Sequence, residues 1–358
     1  MNDPVLVQLL LQISAAELTA ALRRLRDAAH SRMDALFPSL PLDEYYRQLN
    51  GVHDALIRRA VALAEAELAR SGTGSPPVPY AYLLFGSGGR KEQTLSSDQD
   101  SGIIYENAET EEKELAAGNY FAHLSEKAVA LLQEIGYPPC EGNVISANPQ
   151  WCLPESRWKQ QLEGWFETAD WESVRYLLIV ADCRHVYGSE ELFTRLKKHF
   201  YSDMLARPVI VQRMLDNTIR HKMLIGVFGQ LLKEQYGEDA GSIDIKYGAY
   251  IPMVNAVRLM AVQSQLRPTS TLERLNALVQ AEVVTQEEAA AYSEAFLFFL
   301  KLRMIATENN KDGMYMNNGK LANHHLTKEM IEELKQSLKV GKRLQRQVQK
   351  LTLGRLKK

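Results

Sequence analysis

Apolar residues recur at helical spacing through most of this chain, and the short stretches that break the rhythm are the informative ones. Near the start, Ile13, Leu18, Leu22 and Leu25 lie on one helical face with basic residues between them. Pro38 and Pro41 interrupt the pattern. A second helix is predicted from about Asp43 to Arg70, burying Leu49, Val52, Leu56, Ile57, Val61 and Leu63. Thr73-Gly-Ser-Pro-Pro-Val-Pro79 then marks a boundary. Tyr80–Phe85 and Gly102–Tyr105 are short apolar runs and read as buried strands. Thr110–Ile135 returns to helical spacing, with Phe121, Leu124, Ala128, Leu131 and Ile135 on its buried side. Gly142–Ala147 reads as a further strand, and Tyr176–Ala181 as an apolar run leading into 182–188.

Trp151, Trp158 and Trp165 are spaced by seven, and from Trp158 onward they suit one helix face. Core packing and a stacking platform are the two readings of that spacing. From about Ser189 the pattern is almost purely helical, divided by loop signals at 237–241, 267–270 and 309–319. The last segment, 334–358, carries nine Lys and Arg and no Asp or Glu, with Leu334, Leu338, Val348 and Leu351 on one face. A solvated basic cap on a helix bundle and a docking surface for an acidic partner both fit it. There is no internal repeat. The expected organisation is an N-terminal helical segment (1–75), an α+β domain with a mixed sheet (76–188) and an all-α helical bundle (189–358).

The 358 residues suffice for two or three domains. A net charge of -2 gives no global electrostatic case for nucleic acid or membrane binding. The three cysteines, Cys140, Cys152 and Cys183, match no zinc spacing and point to a reducing, cytoplasmic setting. No apolar stretch reaches the roughly 18 residues of a membrane span. The N-terminus lacks the basic flank of a signal peptide and reads as a helix. His324-His325 falls in a loop-rich stretch and reads as surface.

The chemistry concentrates between the two strands. The first ends in Gly86-Ser87-Gly-Gly-Arg90, and Asp98-Gln-Asp100 follows eleven residues after Ser87. Carboxylates at i and i+2 of a strand point to one face. Such a pair holds a divalent ion against phosphate oxygens, for Mg2+ prefers carboxylates and keeps some of its waters. A solvated turn is the alternative for this Ser/Asp-rich stretch, and the flanking strands favour the metal. Ser87 and the backbone of Gly86, Gly88 and Gly89 suit a phosphate cradle or a tight strand-to-helix turn, and one turn can serve as both. Arg90 suits a phosphate or a neighbouring carboxylate such as Glu92 equally well. Asp182 is the candidate third acid, with an ion pair to Arg184 as its rival role; Glu141 is a weaker candidate.

At these residues the sequence resembles the DNA polymerase beta-type nucleotidyltransferase superfamily, with its Gly-Ser, spacer, Asp-x-Asp pattern. It is similar above all to the nucleotidyltransferases that resemble the N-terminal domain of the PII-protein uridylyltransferase. Gly86 to Asp100 carries the likeness, and it continues in Cys140-Glu-Gly-Asn-Val-Ile-Ser-Ala-Asn-Pro-Gln-Trp151 and Asp182-Cys-Arg-His-Val-Tyr-Gly188. Further segments are Ile243–Tyr250, Val257–Ala261, Ser270–Leu275 and Leu300–Arg303, so the resemblance spans roughly 45–350. It implies a polymerase beta-like mixed sheet with Asp98 and Asp100 on Mg2+ or Mn2+, and Ser87 and Arg90 at phosphate. It also implies a helical substrate-binding domain with Lys246 and Arg258 turned to the site, although surface ion pairing explains those two as well.

The expected activity is transfer of a nucleoside monophosphate from an NTP to a hydroxyl of a protein or small molecule, as in the uridylyltransferase, with a role in signal transduction. Nucleic acid and membrane are not expected partners. A catalytically inactive nucleotide-binding regulator is the rival, and a scaffold docking through the basic C-terminal segment is a third reading. Spacing does not encode the base, the acceptor or the oligomeric state.

Overall fold

The computed structural model describes residues 3–204, 208–221, 223–226, 230–234, 240–309 and 314–356. Parts of the loops expected at 237–241 and 309–319, and Lys357 and Lys358 of the basic end, lie outside the described residues. The chain divides into two compact units: Met1–Gly164 with Asp182–Phe200 and Lys311–Met314, and Trp165–Ala181 with Tyr201–Asn310 and Tyr315–Lys358.

The first unit opens with α1 (Pro4–Ala15), α2 (Thr19–Leu36) and α3 (Leu42–Arg70). Pro41 is the N-cap of α3, and Asp43 and Glu44 sit in its first turn, where the helix dipole favours acids. The predicted apolar stripe of α3 is buried, and α3 packs on α1 and α2. The chain then enters β1 (Tyr80–Leu84), the one-and-a-half-turn helix α4 (Gly86–Arg90) and β2 (Ser101–Tyr105). Helix α5 (Glu111–Glu134) starts at Thr110, whose side chain accepts the Lys113 N–H. It packs against α3 through the face that periodicity assigned to the core.

Three residues, Cys152–Pro154, form β3; α6 is Glu155–Thr168, α7 is Trp171–Ala181, β4 is Arg184–Gly188 and α8 is Glu190–Met204. The sheet order is β3-β2-β1-β4. β1 runs antiparallel to β2 and β4, and β2 runs parallel to β3, so the sheet is mixed. Every residue of β1 and β2 is buried, which explains why both read as continuous apolar runs rather than alternating ones. One expectation is corrected: Gly142–Ala147 is turn and bend, not strand. Asn143 there has a positive φ of 54°, and the segment is tied to β2 by the Ser101 N–H donating to the Val144 carbonyl at 3.0 Å and the Ser146 N–H donating to the Ser101 hydroxyl at 3.1 Å.

Trp151 and Trp158 belong to the core of this unit. Trp158 is fully buried and its Nε1–H donates to the Ile103 carbonyl at 2.9 Å, while the Trp151 ring lies 5.0 Å from that of Phe85.

The second unit contains α7 and then α9 (Pro208–Arg220), β5 (Ile243–Asp244), a π-helical turn over Lys246–Tyr250, α10 (Ile251–Gln263), α11 (Thr271–Gln280) and α12 (Gln286–Ile305). After β6 (Glu308–Asn309), β7 (Tyr315–Met316) and β8 (Lys320–Leu321) comes the long α13 (Lys328–Leu356). Among the described residues it is largely helical, with two small ribbons, β5 with β8 and β6 with β7, and an isolated antiparallel bridge between Ile225 and Leu231. Helix α10 is buried almost all round, with α9, α11 and α13 against it. Leu334, Leu338 and Val348 of α13 face inward as expected, while Lys339, Arg343, Arg346 and Lys350 form an exposed stripe. The protein is therefore α+β, with a small mixed sheet in one unit and a largely helical second unit. Among the described residues no helix is long and apolar enough to cross a membrane.

Candidate active site

The turn after β1 begins with a conformation that only glycine adopts cheaply. Gly86 has φ +52°, and a Cβ built there would lie 2.0 Å from Oδ2 of Asp100. A side chain at 86 and the Asp100 carboxylate therefore exclude each other. The next strand is held against this turn by the Phe85 N–H, which donates to the Asp100 carbonyl at 3.0 Å.

Asp98, Gln99 and Asp100 extend β2 backward. Gln99 forms a parallel bridge with Pro139 and points inward, its Nε2 donating to the carbonyls of Val129 at 3.1 Å and Tyr137 at 2.7 Å. Alternation then puts Asp98 and Asp100 on the opposite side. Their carboxylate oxygens come within 4.8 Å of each other and of the Cys140 sulfur. Asp98 is exposed, and Asp100 and Cys140 are half-buried. Burial, with the Asp100 and Asp98 carboxylates beside it, pushes the Cys140 thiol up to about 12.

Behind the acid pair lies a small cavity of about 10 Å³, bounded in part by Leu84, Gly88, Asp98, Asp100, Leu132 and Tyr137. It has room for roughly one water.

The glycines after Ser87 divide in role. The Gly89 N–H donates to the Phe85 carbonyl at 2.6 Å, so it belongs to the turn. A Cβ on Gly89 would lie 2.1 Å from the Asp182 carbonyl oxygen, making this a close-packing glycine. A Cβ on Gly88 would meet Gln93 and Leu84 at 3.6 Å, ordinary contact. The Gly88 carbonyl accepts from Arg184 Nε at 2.8 Å, and the far edge of that guanidinium forks onto Asp54 at 3.0 and 2.5 Å.

Arg90 and Asp182 sit elsewhere than at an open phosphate site. Arg90 Nη1 donates to Asp182 Oδ2 at 2.7 Å and its Nε to Glu92 Oε2 at 2.8 Å, with all three side chains buried. Asp182 thus pairs with Arg90, while Arg184, its anticipated partner, goes to Asp54. Among the described residues, Asp182 and Glu141 are not part of the Asp98, Asp100, Cys140 group.

A buried polar relay supports the turn from α3. The Thr94 carbonyl can only accept, so His53 donates to it from Nε2 at 3.1 Å, and Nδ1 accepts the Tyr137 hydroxyl at 2.7 Å. Burial holds the His53 imidazole down to about 3, and the His30 ring, 5.1 Å away, well below its ordinary range. Both rings are neutral at pH 7.

In the second unit Arg258 is buried, donating to the Leu178 carbonyl at 3.3 Å and to Asn255 Oδ1 at 2.6 Å. Lys246 opens the π-helical turn, and its ammonium lies 5.3 Å from the Tyr247 ring. The sequence offers Glu92 as a partner of Arg90, and the structure has that pair, but nothing in the sequence places Cys140 at the site. Cys140 is forty residues beyond Asp100, and only the bridge to Pro139 brings it alongside.

Against known proteins, the chain matches the family described as "Putative nucleotidyltransferase DUF294" over residues 33–172. It matches a second family, "Putative nucleotidyltransferase substrate binding domain", over residues 208–351. No curated protein matches it.

Proposed function

We propose that this chain, which belongs to the family described as "Putative nucleotidyltransferase DUF294" and carries its substrate-binding domain, transfers a nucleoside monophosphate from an NTP to a hydroxyl of a protein or small-molecule acceptor. The observation that carries this reading is the contact of Gly86 with Asp100. It puts a carboxylate against the glycine turn, the place where triphosphate oxygens and a divalent ion have to meet.

The donor set fits a hard divalent ion. Asp98 and Asp100 offer oxygens from one side of a strand, and the outer side is open to a ligand that brings phosphates and waters. Bound there, Mg2+ or Mn2+ would supply neutralisation of phosphate charge. The remaining tasks fall to the chain. The Ser87 hydroxyl donates to a phosphate oxygen. Asp98 and Asp100 orient the triphosphate, and a carboxylate takes the proton of the acceptor hydroxyl. The acceptor oxygen bonds to the α-phosphorus, the bond from that phosphorus to the bridging oxygen breaks, and pyrophosphate leaves with its electron pair. Arg90 and Asp182 act from behind, holding the end of α4 and the start of β4 in place. Lys246 and Arg258 serve the substrate-binding domain, Arg258 by packing.

A second reading has a specific observation in its favour. Among the described residues, no third carboxylate joins the Asp98, Asp100 group. A protein that binds nucleotide without turnover, and reports on it, fits that set. Incubating the full chain with each α-labelled NTP, Mg2+ and a cell lysate decides between them. Labelled product with pyrophosphate release, abolished in Asp98→Asn/Asp100→Asn, supports transfer. Mg2+-dependent NTP binding with no release supports the regulator, and NTP binding unaffected by the double substitution removes both.

A further inference from the structure

The third member of the acid group is a sulfur, and its position follows from strand register. Gln99 faces Pro139 in a parallel bridge, and the Gln99 N–H donates to the Pro138 carbonyl at 2.9 Å. Counting one residue on along both segments sets Cys140 beside Asp100. The Asn143 N–H closes a turn onto the Cys140 carbonyl at 3.0 Å, which fixes the backbone at that point. The Cys140 sulfur and one oxygen each of Asp98 and Asp100 lie within 4.8 Å of one another. Ligand atoms on one tetrahedral ion are roughly 3–4 Å apart, so modest side-chain rotation brings all three onto a single ion.

We propose that Cys140 is a third ligand at this site, and that Asp98, Asp100 and Cys140 together take a thiophilic divalent ion, Zn2+ or Cd2+, in competition with the hard ion. The proposal deepens the nucleotidyl-transfer reading, and it rests on that reading only for the location of the competing ion. The chemistry is that of ligand softness. Mg2+ and Mn2+ favour oxygen and leave the thiol alone, whereas Zn2+ and Cd2+ form metal–sulfur bonds. As that bond forms, the S–H bond breaks and the proton passes to solvent. Two carboxylates, one thiolate and an open fourth position are a donor set that Zn2+ accepts. With that ion in place the carboxylates are no longer available to a Mg2+–NTP complex, so a thiophilic metal bound there would shut the site.

The test uses metal-stripped full-length protein and two metals alone. Cd2+ is titrated while the ultraviolet thiolate-to-cadmium charge-transfer band is read, and Mn2+ is titrated while free Mn2+ is read by electron paramagnetic resonance. The band should appear at one Cd2+ per chain, be lost in Cys140→Ser, and weaken at least tenfold in apparent affinity in Asp98→Asn/Asp100→Asn. It should persist in Cys152→Ser and Cys183→Ser. Mn2+ affinity should change less than threefold in Cys140→Ser, which also shows that the variant is folded. Excess Mn2+ should displace Cd2+. A band that survives Cys140→Ser, ignores the aspartate substitutions or never forms overturns the proposal. If Mn2+ still binds through the aspartates in that case, the transfer reading stands alone. A Cd2+ band with no Mn2+ binding supports the thiol site and removes the hard-ion reading instead.

Discussion

Arg90 and Asp182 form an ion pair inside the protein, Nη1 to Oδ2 at 2.7 Å, with side chains only 6% and 1% exposed. The pair ties the end of α4 to the start of β4, the two segments that Gly89 lets approach so closely. Its energetic character follows from burial. Removing Asp182 takes away one of two buried carboxylates on Arg90 and leaves Glu92 to balance the guanidinium, so the cost is that of a lost charge-assisted hydrogen bond.

Asp182→Ala is therefore expected to destabilise the protein by about 1–3 kcal/mol, read by urea denaturation. Mn2+ affinity of the folded protein should stay within threefold of the unsubstituted chain. A tenfold loss of Mn2+ affinity with unchanged stability would return Asp182 to the metal site.

The three glycines of the turn should separate cleanly. Gly88→Ala meets only ordinary contacts and is expected within about 1 kcal/mol of the parent protein. Gly89→Ala drives a Cβ into the Asp182 carbonyl and should cost about 1–3 kcal/mol or more. Gly86→Ala displaces the Asp100 carboxylate, so its signature is at least tenfold weaker Mn2+ binding, with about 1–2 kcal/mol of left-handed strain beside it. Denaturation midpoints and Mn2+ titration of the three variants give the order.

His30 and His53 make stability depend on acidity in a defined direction. Both are held neutral by burial, His53 down to about 3, so the unfolded chain binds protons that the folded chain refuses. Their contribution is complete above the unfolded value near 6.5 and is lost as pH falls through the window from 6.5 toward 3. Each histidine contributes a slope of up to about 1.4 kcal/mol per pH unit there. Unfolding free energies at pH 7, 6 and 5 should show it, and His30→Phe should roughly halve the slope whatever its own stability.

Trp158 distinguishes core from stacking platform. Trp158→Phe removes the donor to the Ile103 carbonyl and should cost about 1–3 kcal/mol, with NTP affinity unchanged. A loss of NTP affinity at constant stability would favour the platform.

Much of this site was readable before any coordinates. The glycine turn, the strand before it and the i, i+2 aspartates are local features, fixed by neighbours in the chain, and the structure has each of them. The long helices α3 and α5 were equally plain, because a buried face recurs within each helix itself. Strands β3 and β4 were not, since three and five residues carry little period and become strands only by pairing with β2 and β1. Gly142–Ala147 was misread as strand for the same reason: its composition allowed one, and no neighbouring strand was there to pair with it along its length.

What the sequence determined by itself was the local arrangement, the glycine turn after β1 and the i, i+2 acids, because each is fixed by near neighbours in the chain. The tertiary structure decided which groups share the site. Arg90 finds Asp182 across 92 positions, and Cys140 reaches Asp100 only through a parallel bridge. Such partnerships depend on how non-local strands dock, and the cost of burying an unpaired charge selects among them after the chain has closed up.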